Sequence, residues 1–207
     1  MAGDLPFDPV TLDFYSAQAP TYVASGHDGR SAHLDAFLAR LRPGASILEL
    51  GCGGGRDSEA MIAGGFRVDP TDGVPEIAAK AEQRLGRPVR VMRFDQLDAI
   101  EAYDAVWANA SLLHVPRAML PGVLESIWRA LKPDGWHFAN FKAGGREGRD
   151  RFGRYFNYLA LDQMKAAYAE GSNWRIHDAH DYDGGGYEGG RGPWVAITVQ
   201  KPGAFAH

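Results

Sequence analysis

The sequence predicts an α/β fold built on a mostly parallel, seven-stranded sheet with an antiparallel edge strand. Three observations carry this. Apolar extended segments alternate with helical segments from residue 46 to 141, the pattern of successive βαβ units. A glycine-rich turn, GCGGG at 51–55, directly follows the first extended segment. Two further extended segments close the chain, and the stretch DGGGYEGGRG between them marks an antiparallel pair.

Taken in order, residues 9–24 are moderately apolar and aromatic, with Phe14, Tyr15 and Tyr22, and read as a short helix. SGHDGR, 25–30, reads as a turn or loop. Over 31–41, Leu34, Phe37, Leu38 and Leu41 recur at helical spacing; Ser31 is a candidate cap, and Pro43 and Gly44 stop the helix. Strand 46–50 leads to helix 56–64, ended by Gly64–Gly65. Strand 66–71 leads to helix 75–85, with Pro75 in its first turn and Gly86 beyond its end. Strand 89–94 and a looser segment follow. Strand 103–109 leads to helix 117–131, stopped by Pro133-Asp134-Gly135, and then to strand 136–141. KAGGREGRDRFGRYFNY, 142–158, is a Gly- and Arg-rich loop, followed by a helix near 160–170 and extended segments near 173–182 and 193–200.

The chain has 207 residues, 45% hydrophobic and 23% charged, which suits one domain over 1–207 with a sizeable core. A formal net charge of −4 builds no broad basic field, so nucleic acid is not expected as a partner. The one cysteine, Cys52, allows no internal disulfide and fits a reducing compartment. The opening MAGDLPFDPV lacks the features of a signal peptide, and no apolar stretch approaches the ~20 residues of a membrane helix. A cytoplasmic protein without a membrane partner is expected. Its oligomeric state is not legible.

In an open parallel sheet, ligands bind at the carboxyl ends of the strands. The glycine stretch lies there, and the helix after it starts near Arg56, so free N–H groups and the positive dipole end face the ligand. Glycines let a ligand approach bare backbone. The dinucleotide fingerprint G-x-G-x-x-G, read from Gly51, requires glycine where Arg56 stands. The pattern acid-x-G-x-G-x-G is matched at every position by Glu49, Gly51, Gly53 and Gly55.

That stretch resembles motif I of the class I S-adenosylmethionine (SAM)-dependent methyltransferases. The resemblance covers roughly residues 34 to 141 and implies a Rossmann-like, doubly wound sheet. It also implies a loop that wraps the methionine part of SAM, positioned by Glu49. Cys52 and Arg56 lie in or beside the loop, Cys52 facing the cofactor through its backbone. FRVDPTDGVPE offers Asp69 and Asp72 as the acid for the ribose hydroxyls; Asp72, at the strand-to-helix turn beside Gly73, is taken, and a helix N-cap role is compatible with it. RFDQL sits where the family contacts adenine, in a register open between Phe94 and Asp95. YDAVWANASLLHVP resembles motif IV, with Asn109 toward the cofactor, and ALKPDGWHFANF resembles the segment entering the fifth strand. Within the superfamily, the shape resembles the small tellurite-resistance-type methyltransferases.

The family implies a direct displacement in which the protein supplies binding and orientation. A base is needed only for an acceptor protonated at neutral pH. His114, after the fourth strand, is the candidate base or substrate ligand; the plainer alternative is a helix-boundary histidine making one hydrogen bond. Tyr15 and Tyr22 either cover the cofactor, as N-terminal segments of this family often do, or simply pack. The 142–158 stretch is a candidate lid, with Lys142, Arg151, Arg154 and Tyr155 toward an anionic or aromatic acceptor. The alternative is a solvated charged helix whose arginines pair with Glu147 and Asp150. HDAHDYD, 177–183, matches no structural zinc spacing, and no metal is expected. The expected function is SAM-dependent methylation of a small molecule. A SAM-binding protein without catalysis, a nucleotide-dependent oxidoreductase and a methyltransferase acting on protein or RNA are the rivals, the oxidoreductase disfavoured by Arg56.

Overall fold

A computed structural model describes residues 5–25, 30–187 and 189–203. Most of the expected 25–30 turn lies outside the described residues. The elements are α1 (Pro9–Ala24), α2 (Leu34–Leu38), β1 (Ser46–Leu50), α3 (Arg56–Ala63), β2 (Arg67–Asp72), α4 (Pro75–Leu85), β3 (Arg90–Val91), β4 (Tyr103–Ala108), α5 (Leu120–Ala130), β5 (Leu131–Lys142), β6 (Glu147–Arg149), β7 (Tyr155–Asn157), α6 (Leu161–Gly171), β8 (Arg175–Gly185) and β9 (Arg191–Gln200). Short 3-10 turns precede β4 at Phe94–Gln96 and α5 at Leu112–His114 and Arg117–Met119.

Seven strands form one sheet in the order β3-β2-β1-β4-β5-β9-β8. β1 to β5 run parallel, and β9 runs antiparallel to both β5 and β8. The antiparallel strand is therefore one place in from the edge, and β8 is the edge. The strand order reverses between β1 and β4, which opens a crevice beyond their carboxyl ends.

The central strands are apolar on both sides, as helices on both faces require. Leu48, Leu50, Val106 and Ala108 face one core layer with α5 and α6, while Ile47, Ala105 and Trp107 face the other with Phe37 of α2 and Met61 of α3. Trp107 is fully buried and stacks on Phe138 at 4.3 Å. Truncating one such buried side chain to alanine costs on the order of 2–5 kcal/mol.

Four boundaries depart from the sequence expectation. The 31–41 helix is regular only over α2, with turns on either side. The 89–94 strand shrinks to two residues, because beyond Met92, whose N–H donates to the Asp72 carbonyl, the chain turns into a 3-10 turn tied by the Gln96 side chain to the Arg93 N–H. Pro133-Asp134-Gly135 interrupts β5 rather than preceding it: Leu131 already pairs with Tyr103, and the register then shifts to Ala105–Trp136. Finally, the 142–158 stretch is a hairpin, β6 and β7 paired antiparallel, and not an open loop or a helix.

Candidate active site

The glycine loop is clamped to the sheet before any ligand is considered. The N–H groups of Gly51 and Cys52 both donate to the Thr71 carbonyl, at 2.9 and 2.8 Å. Gly51, Gly53 and Gly55, the three glycines of the acid-x-G-x-G-x-G pattern, answer to different neighbours. A Cβ on Gly51 would sit 2.6 Å from Ser111 Cβ, and one on Gly55 would press on Ala81 and Leu85 of α4 at 3.3 Å. Of these three, Gly53 (φ +53°) is the one whose Cβ position opens into a cavity, with the Tyr22 ring 3.6 Å away. Close ligand approach therefore concerns Gly53, while Gly51 and Gly55 are required by protein packing. The Cys52 side chain turns away and packs with Ala78, Ala81 and Val89; burial, with the charges of Asp72 and Glu49, holds its thiol well above the ordinary range.

Three carboxylates surround this loop, each under a tenth exposed. Asp72 accepts from the Gly53 N–H at 3.0 Å and the Val74 N–H at 2.9 Å, yet burial outweighs both bonds and pushes its carboxyl up to about 6. Glu49 accepts from the Ser58 hydroxyl; burial first, then the Asp57 charge, pushes it well above the usual carboxylate range. Asp57, in the first turn of α3, accepts from the Ser31 N–H at 2.8 Å and the Trp107 indole N–H at 2.9 Å. Among the described residues, neither Glu49 nor Asp72 has a cation as ion-pair partner. Buried carboxylates without a cation make a strong site for a positively charged ligand.

Two cavities meet at the loop. The smaller, of about 100 Å³, is lined by Asp72, Gly73, Phe94, Asp95 and Ser111. Asp95 is held by Arg93 at 3.0 Å, and the Ser111 hydroxyl is buried with no hydrogen-bond partner among the described residues. The larger, of about 640 Å³, is lined by Glu49, Cys52, Arg56, Asn109, Lys142 and Arg154 among others. Tyr15, Tyr22, Gly51, Gly53 and His114 line both. α1 carries the two tyrosines across the carboxyl ends of the strands.

His114 makes two hydrogen bonds. A carbonyl only accepts, so His114 Nδ1–H donates to Tyr155 O at 2.7 Å and Nε2 carries the lone pair. The Tyr15 hydroxyl, 3.0 Å away, donates to Nε2 and itself accepts from Arg154 Nη1 at 2.9 Å. Burial, aided by the Arg154 and Lys142 charges, lowers His114 to about 4. Arg154, 2% exposed, pairs with buried Asp150 at 2.6 Å and lies 5.0–5.5 Å from the rings of Phe14, Tyr15, Phe152, Phe156 and Tyr187. The ion pair expected for Asp150 thus exists, but inside the protein. Glu147 instead accepts from the Tyr155 hydroxyl at 2.6 Å and from the Arg117 N–H at 3.0 Å.

Of the expected acceptor-side residues, Lys142 and Arg154 line the larger cavity, whereas Arg151 and Tyr155 line neither. Arg151 is exposed over the Phe152 ring at 4.7 Å, and Tyr155 contributes through its carbonyl. His177 and His180 lie exposed on β8, bonded to Gln200 and Asp178, and no group of three or more metal-ligating side chains occurs among the described residues. Residues that sequence reasoning missed are Asp57, Ser111, Asn140 and Tyr182. Only Asn140 carried a signal, as an amide inside the apolar strand WHFANF.

The residues fit S-adenosylmethionine. Its sulfonium and ammonium suit the acid-rich surroundings, its ribose diol suits Asp72, and the orphaned Ser111 hydroxyl and the open Gly53 position face the same space. Residues 47–135 match the family model described as a methyltransferase domain. The chain is 34% identical over 146 residues to a ubiquinone biosynthesis O-methyltransferase of Xanthomonas campestris pv. campestris, a match spanning 64% of this chain and 60% of that relative. The fold is similar to a SAM-dependent methyltransferase of Methanosarcina mazei (TM-score 0.73, 15% identity, 82% of this chain and 98% of that one). It is also similar to the 1,6-didemethyltoxoflavin-N1-methyltransferase of Burkholderia thailandensis, solved with 1,6-didemethyltoxoflavin and S-adenosylhomocysteine (TM-score 0.66, 24% identity, 96% and 93%). Over residues 47–135 the chain thus resembles a methyltransferase domain, and its fold is that of SAM-dependent methyltransferases of known structure. No helix among the described residues is long and apolar enough to cross a membrane.

Proposed function

We propose that this protein transfers the methyl group of S-adenosylmethionine (SAM) directly to a small molecule held in the larger cavity. When bound, SAM supplies a methyl carbon activated by a sulfonium. The observation that carries the reading is the meeting of the two cavities at Gly53, so that cofactor and acceptor each reach the same backbone. Asp72 would accept the ribose hydroxyls, Glu49 and Asp57 would face the ammonium and sulfonium, and Phe94 with Asp95 would flank the adenine. Tyr15 and Tyr22 on α1 would roof the site, and water exclusion with in-line positioning would be the protein's chief contribution. His114, with Nε2 occupied by Tyr15, is placed to position the roof rather than to take a proton.

Several features support a small acceptor. The cavity lies under α1 and is bordered by the β6–β7 hairpin, a shape that suits a compact molecule better than a protein or RNA chain. The larger cavity extends beyond the loop acids to Lys142, Tyr182 and Trp194, which weighs against a purely SAM-binding role. The Xanthomonas relative and the Burkholderia neighbour both carry names that refer to small-molecule methylation. The lone buried Cys52 suits a reducing, cytoplasmic setting.

Calorimetric titration with SAM and S-adenosylhomocysteine, with NAD as control, tests the cofactor. Micromolar binding of the first two and none of NAD is expected. A screen of oxygen- and nitrogen-bearing aromatic acceptors with methyl-labelled SAM then tests transfer. Absence of SAM binding would overturn the reading; SAM binding with no transfer across the screen would favour the non-catalytic rival.

A further inference from the structure

We infer that Tyr182 and Asn109 form a two-donor site for an accepting oxygen on the methyl acceptor, a carbonyl or carboxylate on a planar small molecule, and that buried Asn140 aims both donors. This rests on the proposed transferase reading and narrows its acceptor class.

Asn140 is 3% exposed on β5. Its side-chain oxygen faces the Ala110 backbone N–H, which only donates, so the amide cannot be turned the other way. Its NH2 group therefore points at two oxygens, Asn109 Oδ1 at 2.9 Å and the Tyr182 hydroxyl at 2.8 Å. With both hydrogens and the oxygen engaged, Asn140 is saturated.

The consequence falls on its two partners. Asn109 Oδ1 also accepts from the Ser31 hydroxyl at 3.2 Å, so the Asn109 NH2 is directed away from this cluster. No described residue accepts its hydrogens, and Asn109 lines the larger cavity. The Tyr182 oxygen accepts from Asn140, and no described residue takes the Tyr182 proton, although that residue also lines the cavity. Two donors thus face one space, tied to a single nitrogen. Both side chains are half-buried and open on the cavity, so an oxygen that accepts there can take a hydrogen bond from each.

The surroundings restrict the rest of the ligand. The His33 ring meets Tyr182 edge-on at 4.6 Å, and the Trp194 ring lies 6.2 Å from it, inclined by 30°, giving flat walls. Lys142, Arg30 and Arg191 line the same cavity, against Asp183 and the acids at the loop, so the cavity carries cations as well as acids. The accepting oxygen is a neighbour of the methyl-accepting atom and not that atom, because donation to the nucleophile would weaken it.

The test uses the full chain loaded with S-adenosylhomocysteine. Benzoate and acetophenone are titrated by NMR as oxygen-bearing probes, with aniline as a control. Benzoate and acetophenone are expected to bind and aniline not. Tyr182→Phe keeps the ring contacts and removes only the hydroxyl; roughly tenfold weaker benzoate binding is expected, the effect of one hydrogen bond to a charged oxygen. Asn140→Asp offers both Tyr182 and Asn109 an acceptor, turns both donors away from the cavity, and is expected to weaken benzoate more than Tyr182→Phe does, with the double variant no weaker than Asn140→Asp alone. Equal benzoate binding by wild type and Tyr182→Phe, or no probe binding to protein that holds S-adenosylhomocysteine, would overturn the inference alone. Full additivity in the double variant would overturn the role of Asn140. Failure of S-adenosylhomocysteine to bind the wild type would overturn the transferase reading and this inference with it.

Discussion

The smaller cavity lies between α1 and the carboxyl ends of β1 and β2, lined by rings and apolar side chains with Asp72 and Asp95; the larger is walled by side chains gathered from Tyr15 to Trp194 and presents rings, amides and cations, with Glu49 and Asp57 at the loop. The first, with the loop beside it, is suited to a ligand of fixed shape, held where strands end and backbone is bare. The second varies with whichever side chains the loops deliver. On the proposed function the two demands are largely separated in space, so acceptor preference can change with little disturbance of the cofactor cradle. The ion pair Arg154–Asp150 shows the limit of that separation, since it lies on the acceptor side yet holds α1, which roofs both cavities.

The sharpest way to break this comparison is Arg154→Met. If Arg154 is a strut, its loss removes the ion pair with Asp150, whose side chain is 3% exposed, and roughly 3–5 kcal/mol of stability should vanish in urea unfolding of the free protein. Arg151→Ala, on an exposed position of the same hairpin, should move stability by no more than about 0.5 kcal/mol. Unchanged stability in Arg154→Met would return Arg154 to the acceptor.

On the cofactor side the expected effect is smaller and depends on pH. Asp72→Asn should weaken S-adenosylhomocysteine by about 1–3 kcal/mol. Burial raises the Asp72 carboxyl from 3.8 to about 6 in the free protein, so lowering pH through about 6 protonates it and removes an ionised acceptor. Wild-type affinity should therefore fall between pH 7 and 5, while the variant stays weak and flat. Calorimetry at several pH values checks this, and a flat wild-type profile would separate Asp72 from the ribose.

These two sides also differed in how far the sequence could be read. The cradle comes from short-range patterns: Glu49, Gly51, Gly53 and Gly55 at fixed spacing, then Asp72 at the next strand end, because each βαβ unit returns the chain to the same edge. Even there, spacing did not reveal that Gly51 answers to Ser111 and Gly55 to α4. The sheet, its order aside, was legible because burial on both faces demands apolar strands. The larger cavity was largely illegible. Tyr182 reaches it from β8, His33 from the turn before α2 and Asn140 from mid-strand, so their meeting depends on strand order and not on local pattern. The 142–158 hairpin looked like a charged lid because composition does not tell a buried Arg154 from an exposed Arg151.

His114 sits where the two cavities meet, and its expected effect is the smallest. As a general base it would need a free lone pair and a pKa near neutrality; instead Nε2 accepts from Tyr15, and burial lowers the ring to about 4. Carbon-13 NMR of the labelled histidines should show one ring, assigned through His114→Phe, that stays neutral from pH 8 to 5. The variant keeps a ring against Phe156, now 4.6 Å from His114, and gives up two hydrogen bonds. Turnover of an acceptor found by the screen should fall less than roughly tenfold, against the 10²–10⁴ that loss of a base would remove. A loss of that larger size, together with a pH–rate limb near neutrality that disappears in His114→Phe, would make the boundary histidine part of the chemistry and merge the two regions into one catalytic unit.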